Sequence, residues 1–122
     1  MNVWIVSYSA NGAATAERIA AGLRGDAQNC RCFALEKYRL PGVEPLTGDA
    51  QSWAGDAFRE ADALIFCAAA GIAVRAIAPH LKSKPQDSAV LVTDELGHFV
   101  IPLLSGHLGG ANELALRIVS SI

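Results

Sequence analysis

The chain has 122 residues, a formal net charge of −2 and a hydrophobic content of 52%. This length suits one domain with its own core, and the nearly balanced charge leaves no basic field for DNA or RNA. The longest apolar run, residues 63–74, is too short to span a bilayer, and three cysteines, an odd number, indicate a reducing cytoplasm rather than a disulfide framework.

Strand and helix patterns alternate along the chain. The pattern predicts strands at 3–8, 30–35, 63–68, 89–93 and 99–104, helices at 13–25, 50–60, 72–81 and 112–122, and a surface loop at 40–49. No basic region precedes the first strand, which argues against a signal peptide. The turn at 94–97 makes the last two strands an antiparallel hairpin. We therefore expect an α/β fold with three layers, α/β/α, and a mostly parallel sheet, flavodoxin-like or Rossmann-like.

Two predicted helices have clear apolar faces. Small and apolar residues line one side of the first helix, at Ala16, Ile19, Ala20 and Leu23, and Gly25 is its expected stop. The apolar stripe of the last helix comprises Leu114, Ala115, Ile118, Val119 and Ile122. The chain stops inside this helix, which suggests a domain cut from a longer protein.

The segment FVIPLLSGHLGGAN, residues 99–112, is the most informative stretch. A strand ends at Leu104, a tight turn follows, and glycines precede the last helix. Glycines let backbone N–H groups face a ligand, and a helix start adds unpaired donors that suit an anion. His107 is the group in this turn that titrates near neutral pH. Together with the loops at 7–12 and 68–71, the loop at 105–110 is expected to line one crevice.

Several segments of the second half carry a family resemblance. They are GIAVRAIAPHL at 71–81, Lys84, Asp87, AVLV at 89–92, Asp94, Glu95, Gly97 and the segment 99–112. These residues resemble the N-terminal domain of the CbiG family, the cobalt-precorrin-5A hydrolases of the anaerobic cobalamin pathway. The first half of the chain agrees with that domain in layout.

The resemblance implies that residues 1–122 form a single α/β domain, and that the linker and C-terminal domain of the family are absent from this chain. It implies hydrolysis of the ring-A lactone of a cobalt-bearing tetrapyrrole, with release of acetaldehyde. The expected partners are this corrinoid and the family's C-terminal domain, with no nucleic acid and no membrane. Cobalt belongs to the substrate, so no cofactor is expected.

Two residues are candidates for catalysis in that reaction. His107 is the candidate general acid or base, although it could instead hold the turn by bonding a backbone carbonyl. Glu95 could act as a base or orient His107, although acidic residues are common in hairpin turns without any chemistry.

The candidate substrate-binding residues fall into two groups. Gly106, Gly109 and Gly110 could form a nest of backbone amides for an oxyanion or carboxylate, or serve only a tight turn. Asn112 could bind substrate or cap a helix. Ser105 is also a candidate for substrate binding; it is not expected to be a nucleophile, because it lacks the G-x-S-x-G pattern.

The second group lies on the third predicted helix. Arg75, one turn after Gly71, could grip a substrate carboxylate with two hydrogen bonds. Alternatively, Arg75 could form an ion pair with Asp94 or Glu95.

Three other interpretations concern metals and rival functions. Cys30 and Cys32 have no second pair, and Cys67 lies in a predicted strand, so no metal site is expected. A flavodoxin-like module would bind flavin mononucleotide or phosphate at residues 7–15, with Trp53 as the stacking residue. The domain could also be a non-catalytic interaction module.

Overall fold

The elements alternate between strand and helix along most of the chain. The computed structural model describes residues 1–26, 28–83, 86–105 and 110–121. Over these ranges the elements are β1 (Asn2–Ser7), α1 (Ala10–Gly25), β2 (Asn29–Ala34), β3 (Glu44–Pro45), α2 (Ala50–Glu60), β4 (Ala63–Cys67), α3 (Ala70–Ile77), β5 (Ala89–Thr93), β6 (Val100–Leu104) and α4 (Ala111–Ser121).

The strands form one sheet in the order β3-β2-β1-β4-β5-β6. The pairs β1–β2, β1–β4, β2–β3 and β4–β5 are parallel, and β5–β6 is antiparallel. This confirms the α/β fold and its single antiparallel hairpin. The order of the strands is that of Rossmann-like folds, so the structure agrees with that alternative.

Helices cover both faces of the sheet, as the three-layer prediction requires. On one face α1 and α4 pack against the strands, and Ile19 and Ile118 are fully buried there beside Ile5. On the other face lie α2 and α3, and Trp53 meets Phe66 with ring centroids 5.3 Å apart. Strands covered on both faces explain the continuous apolar runs in the sequence.

Helix α1 begins earlier than predicted, because residues 9–12 are not a free turn. Ser9 is the N-cap, and its Oγ accepts a hydrogen bond from the Gly12 N–H at 3.0 Å. A Cβ on Gly12 would lie 2.7 Å from the Cys67 carbonyl oxygen. Gly12, which the sequence analysis assigned to a loop, therefore lies in α1 and allows the start of this helix to approach the end of β4 closely.

The prediction of a surface loop at 40–49 is wrong at its centre, where β3 pairs with β2. Val43 is buried in the core. Arg31 of β2 donates two hydrogen bonds to Glu44, at 2.7 and 2.6 Å, and these bonds hold the pKa of Glu44 below its usual range. Cross-strand contacts rather than local propensity hold such a short strand, so the proline- and glycine-rich sequence gave no signal for it.

Two further predictions about helices need correction. The helix predicted at 72–81 ends as an α-helix at Ile77 and continues as a 3-10 turn at Ala78–His80, where proline interrupts the regular hydrogen bonds. In α4, Leu114, Ala115 and Ile118 are buried as predicted, but Val119 is 61% exposed. The last residue of the predicted stripe, Ile122, lies outside the described residues.

No helix in the described ranges has the length and apolarity that crossing a membrane would require.

The N-cap of α2 gives a testable dependence of stability on pH. Asp49 Oδ1 accepts a hydrogen bond from the Ser52 N–H at 2.8 Å, and this bond holds the pKa of Asp49 below its usual range. A depressed folded-state pKa stabilises the fold above the unfolded value, near 3.9, and this contribution is lost as the pH falls through the folded value. We expect Asp49→Ala to lower the Tm at pH 7 and to have a smaller effect below the folded-state pKa.

Thermal unfolding of the wild type, Asp49→Ala and Asp49→Asn across this pH range tests the prediction. Asparagine keeps a capping oxygen without a titratable charge, so Asp49→Asn should lose the pH-dependent part alone. An Asp49→Ala effect that does not change with pH would contradict the assignment.

Candidate functional site

The direction of β6 decides which loops lie together. The parallel strands β1, β2, β4 and β5 end at one edge of the sheet, here called the carboxyl edge, and ligands in such sheets bind outside that edge. Strand β6 runs the other way, with Val100 opposite Thr93 and Leu104 opposite Val90. Leu104 therefore lies at the opposite edge, here called the amino edge. For a strand of this length, that edge is about 13 Å from the carboxyl edge.

The prediction that three loops line one crevice is therefore wrong for the described ends of the third loop. The loops at 7–12 and 68–71 do meet at the carboxyl edge, because β1 and β4 are neighbours. Ser105 and Gly110, the described ends of the third loop, lie at the amino edge. Gly110 borders a small recess of about 100 Å³ with Met1 and Gln28.

The described residues of the third loop interact mainly with the protein itself. Ser105 has a left-handed backbone (φ 58°), its Oγ donates to the Asp87 carbonyl at 3.2 Å, and its own carbonyl accepts from the Ala111 N–H. Asn112 is exposed and is the second residue of α4. It is therefore not the helix N-cap, because Gly110 precedes the helix and accepts from the Leu114 N–H.

Gly106, His107 and Gly109 lie outside the described residues. The amide nest and the imidazole therefore stay predictions from the sequence.

A crevice of about 390 Å³ opens at the carboxyl edge. Its lining comes from the loop after β4, from β5 and its turn, and from β6, namely Ala68, Ala69, Ala70, Val92, Asp94, Glu95, Phe99 and Ile101. We call it the carboxyl-edge crevice. Its walls are apolar apart from two carboxylates, and its volume is near the lower end of the roughly 300–1,000 Å³ typical of ligand pockets.

The two carboxylates of the crevice have different surroundings. Asp94 Oδ1 accepts a hydrogen bond from the Phe99 N–H at 2.8 Å and so closes the β5–β6 turn. Although desolvation opposes the shift, this bond and the nearby His98 hold the pKa of Asp94 below its usual range. Glu95 is exposed, and its side chain forms no hydrogen bond or ion pair with any described residue. Glu95 is thus the carboxylate that can act on a ligand.

Side chains of helix α1 hold Glu95 in place by hydrogen bonds to the backbone of the 95–96 turn. Thr15 Oγ1 donates to the Glu95 carbonyl at 2.5 Å, and Arg18 donates to Thr15 Oγ1 and to the Leu96 carbonyl. Thr15 is 1% exposed. Sequence reasoning missed both positioning residues, although a polar threonine on the apolar face of a helix was an available signal.

Tyr8, just after β1, was also missed. Its hydroxyl is buried without a hydrogen-bond partner among the described residues. Burial, and secondarily the charge of Asp49, raises the pKa of Tyr8 to about 12, so the phenol stays protonated at neutral pH. An unpaired buried donor costs free energy, which makes Tyr8 a candidate contact near the carboxyl edge.

Arg75 lies in the last turn of α3, and its side chain reaches back towards Gly71 in the first turn. The Arg75 Nη1 atom is 3.6 Å from where a Cβ on Gly71 would be, so the guanidinium turns back over the first helical turn. Its expected alternative, an ion pair with Asp94 or Glu95, is absent from the described residues. No side chain caps α3 at Ala69. A cation beside an uncapped helix start is unfavourable by itself and favours a bound anion.

The structure disagrees with the flavin interpretation. Trp53 is 4% exposed and packs inside the aromatic core, with its ring 6.2 Å from that of Trp4. It therefore cannot stack on a bound ring from solvent. The Gly12 N–H already donates to Ser9 Oγ at 3.0 Å, so this backbone donor is not available to a phosphate.

Cysteine side chains give no reactive centre among the described residues. Burial raises the pKa of Cys30 above its usual value, that of Cys32 to about 11 and that of Cys67 to about 12, which disfavours the thiolate at all three. In the described ranges, no three His, Cys, Asp or Glu side chains are placed to hold a metal ion.

Comparison with known proteins identifies the family. Residues 52–122 match the model of the family described as cobalamin synthesis G N-terminal. The chain is 48% identical over 103 residues to a cobalt-precorrin-5A hydrolase of Salmonella typhimurium, and the match covers 84% of this chain and 28% of that protein. It is 39% identical over 80 residues to a cobalt-precorrin-5A hydrolase of Priestia megaterium, with 66% of this chain and 21% of that protein covered.

A solved structure agrees with these matches. A cobalamin biosynthesis protein G homolog from Sulfolobus solfataricus aligns with a TM-score of 0.76 and 26% identity, over 98% of this chain and 33% of that one. The chain thus spans about a third or less of the proteins it matches. Since the family model covers more than half of its residues, the chain belongs to the cobalamin synthesis G N-terminal family.

Proposed function

We propose that this chain is the N-terminal part of a cobalt-precorrin-5A hydrolase and that it binds the corrinoid substrate at the carboxyl-edge crevice. The observation that carries the proposal is a single juxtaposition. In a fold shared with these hydrolases, an apolar crevice that contains the Glu95 carboxylate lies at the edge where α/β sheets bind ligands, and the Arg75 guanidinium is turned towards the first turn of α3 at that edge. Neither charged group has a side-chain partner among the described residues.

The reaction proposed is the opening of the ring-A lactone. Water adds to the lactone carbonyl and the ring C–O bond breaks, which leaves a carboxylate and an alkoxide. Collapse of the alkoxide breaks a C–C bond and releases acetaldehyde, while the electron pair stays on the macrocycle, which takes up a proton. The step needs a base for water and a donor for the acyl oxyanion.

The crevice and the neighbouring first turn of α3 each support one part of this task. Phe99 and Ile101 present apolar surface to one face of the macrocycle. The uncapped start of α3 and Arg75 offer N–H donors and a positive charge to a peripheral carboxylate. Glu95 is the candidate base for the attacking water. The cobalt enters with the substrate, so the proposal gives the chain no cofactor.

His107 remains a second proposed catalytic group, with Gly106 and Gly109 as proposed oxyanion donors. The described neighbours Ser105 and Gly110 lie at the amino edge, away from Glu95. His107→Ala is therefore expected to abolish acetaldehyde release only if the reacting lactone lies at the 105–110 loop. Comparing His107→Ala with Glu95→Gln decides which edge carries the chemistry.

A chimeric hydrolase tests the proposed function. In it, this chain replaces the matched segment of the Salmonella typhimurium protein, and cobalt-precorrin-5A turnover is followed by acetaldehyde release. We expect turnover by the chimera and binding of the cobalt-corrinoid, seen as a change in its visible absorption, by the isolated chain. A folded chimera without turnover, together with an isolated chain that leaves the absorption unchanged, would overturn the proposal. Binding without turnover would assign the chain to substrate binding alone.

A further inference from the structure

The open edge of the sheet at β6 has an unusual combination of features. Its sequence, VIPLL, contains no charged residue. The opposite edge strand, β3, is only two residues long and carries Glu44, which pairs with Arg31. Short length and charge are the usual protections of an edge strand against pairing with another chain. Strand β6 has neither; its protections are Pro102 and the register irregularity of its pairing between Val90 and Leu91.

Exposed apolar side chains flank β6 on both faces of the sheet. On the face of the sheet that carries Val92, which pairs with Ile101, the side chains of Phe99 and Ile101 are 69% and 48% exposed. Helix α4 covers the other face, and there Leu116 and Val119 are 70% and 61% exposed. Phe99, Leu116 and Val119 are the most exposed large hydrophobic residues in the described part of the chain.

The geometry of α4 places Val119 on the side of the helix that faces away from β1. Arg117 borders the recess at the amino end of β1 together with Met1. Val119 is two residues further along, about 200° around the helix, and so points away from β1. Leu116 lies one turn before Val119 and about 200° around the helix from the buried Leu114 and Ile118, so it faces solvent next to Val119. We define the β6-edge surface as the edge of β6 with Phe99, Ile101, Leu116 and Val119.

We propose that the β6-edge surface is the docking site for the remainder of the hydrolase polypeptide, the part that has no counterpart in this chain. This inference rests on the proposed function. The match covers 28% of the Salmonella typhimurium relative and 33% of the Sulfolobus solfataricus chain, so most of each polypeptide lies outside it. An uncharged edge strand between two apolar flanks suits a covalently continuous partner that pairs with the edge or packs over it.

Docking at this surface would also complete the substrate site. Phe99 and Ile101 belong both to the β6-edge surface and to the wall of the carboxyl-edge crevice. The crevice is small for a corrinoid, so a second wall supplied from the β6 side would enclose the part of the macrocycle that this chain leaves open. Substrate binding and docking are therefore expected to support each other.

Hydrogen exchange in the chimera and in the isolated chain tests the docking site. We expect the backbone amides of residues 99–104 to exchange about tenfold or more slowly in the chimera, because docking covers them. The double variant Leu116→Lys/Val119→Lys should restore fast exchange and lower the Tm of the chimera. In the isolated chain it should leave the Tm nearly unchanged, since both side chains are exposed and cations suit a helix C-terminal half.

Leu81→Lys is the matched control, because Leu81 is 44% exposed and lies outside this surface. Equal exchange in the chimera and the isolated chain, or an equal effect of Leu81→Lys, would overturn the proposal. It would also be overturned if the isolated chain sediments as a dimer that the double variant dissociates, because a second copy would then cover the edge. If the chimera turns over substrate while the amides of residues 99–104 exchange as fast as in the isolated chain, the docking site alone is wrong. If those amides are protected but there is neither turnover nor binding of the corrinoid, the proposed function is wrong.

Discussion

Glu95→Gln in the chimeric hydrolase is expected to lower the rate of acetaldehyde release by about 10²- to 10⁴-fold, the usual contribution of a general base. Glutamine keeps the size and shape of the side chain but cannot take a proton from water. The backbone contacts from Thr15 and Arg18 to the 95–96 turn do not involve the substituted atoms. The loss should therefore appear in kcat with little change in the binding of the corrinoid.

Glu17→Gln is the control for this prediction, since Glu17 is an exposed carboxylate on α1 outside the crevice. Both variants should unfold at the temperature of the unmodified chimera. Unchanged turnover in Glu95→Gln would remove Glu95 from the mechanism. A large loss in His107→Ala at the same time would place the chemistry at the 105–110 loop.

Gly12→Ala is expected to destabilise the chain by about 1–3 kcal/mol, the usual cost of overpacking. The added Cβ would lie 2.7 Å from the Cys67 carbonyl oxygen and 3.3 Å from the Ser7 Cβ. The nearest atom belongs to the backbone of a central strand, so relief requires α1 to move as a whole. The better helix propensity of alanine offsets at most about 1 kcal/mol of this cost.

Gly25→Ala is the matched glycine control, because nothing lies within 4 Å of the Cβ position at Gly25. It should be neutral or raise stability by up to about 1 kcal/mol, through helix propensity alone. Urea denaturation measures both variants. If Gly12→Ala were as stable as Gly25→Ala, the close approach of α1 to β4 would be contradicted.

Local signals were sufficient for some elements of the fold. The bounds of α2 were predicted from the sequence as residues 50–60, and those of β5 as residues 89–93, and the structure has the same bounds. The apolar face of α1, including Ile19 and Leu23, is also buried as predicted. In these segments the hydrophobic period and the flanking residues agree with the tertiary environment, so the local pattern was enough.

The candidate site was only partly predictable. The segments after β1 and β4 lie at the same edge as expected, since neighbouring parallel strands end there, but the crevice at that edge is lined by residues 68–70 and by none of residues 7–12. The hairpin of β5 and β6 was also predicted, and an antiparallel strand must end at the opposite edge. The expectation that Ser105 and Gly110 share the crevice conflicted with that hairpin. Glu95 and Arg75 were candidates from the sequence, but the support of Glu95 by Thr15 depends on a contact between distant segments.

The sequence alone determined the α/β alternation, the apolar faces of the helices and the resemblance to a family. These properties depend on residue periods and on motifs within short segments. Tertiary structure decided the edge at which each loop lies, the exposure of Val119 beside β6 and the need for glycine at position 12. These three properties depend on how segments far apart in the chain pack against each other. A local pattern determines which side of a helix or strand is apolar, but it does not determine which other element covers that side.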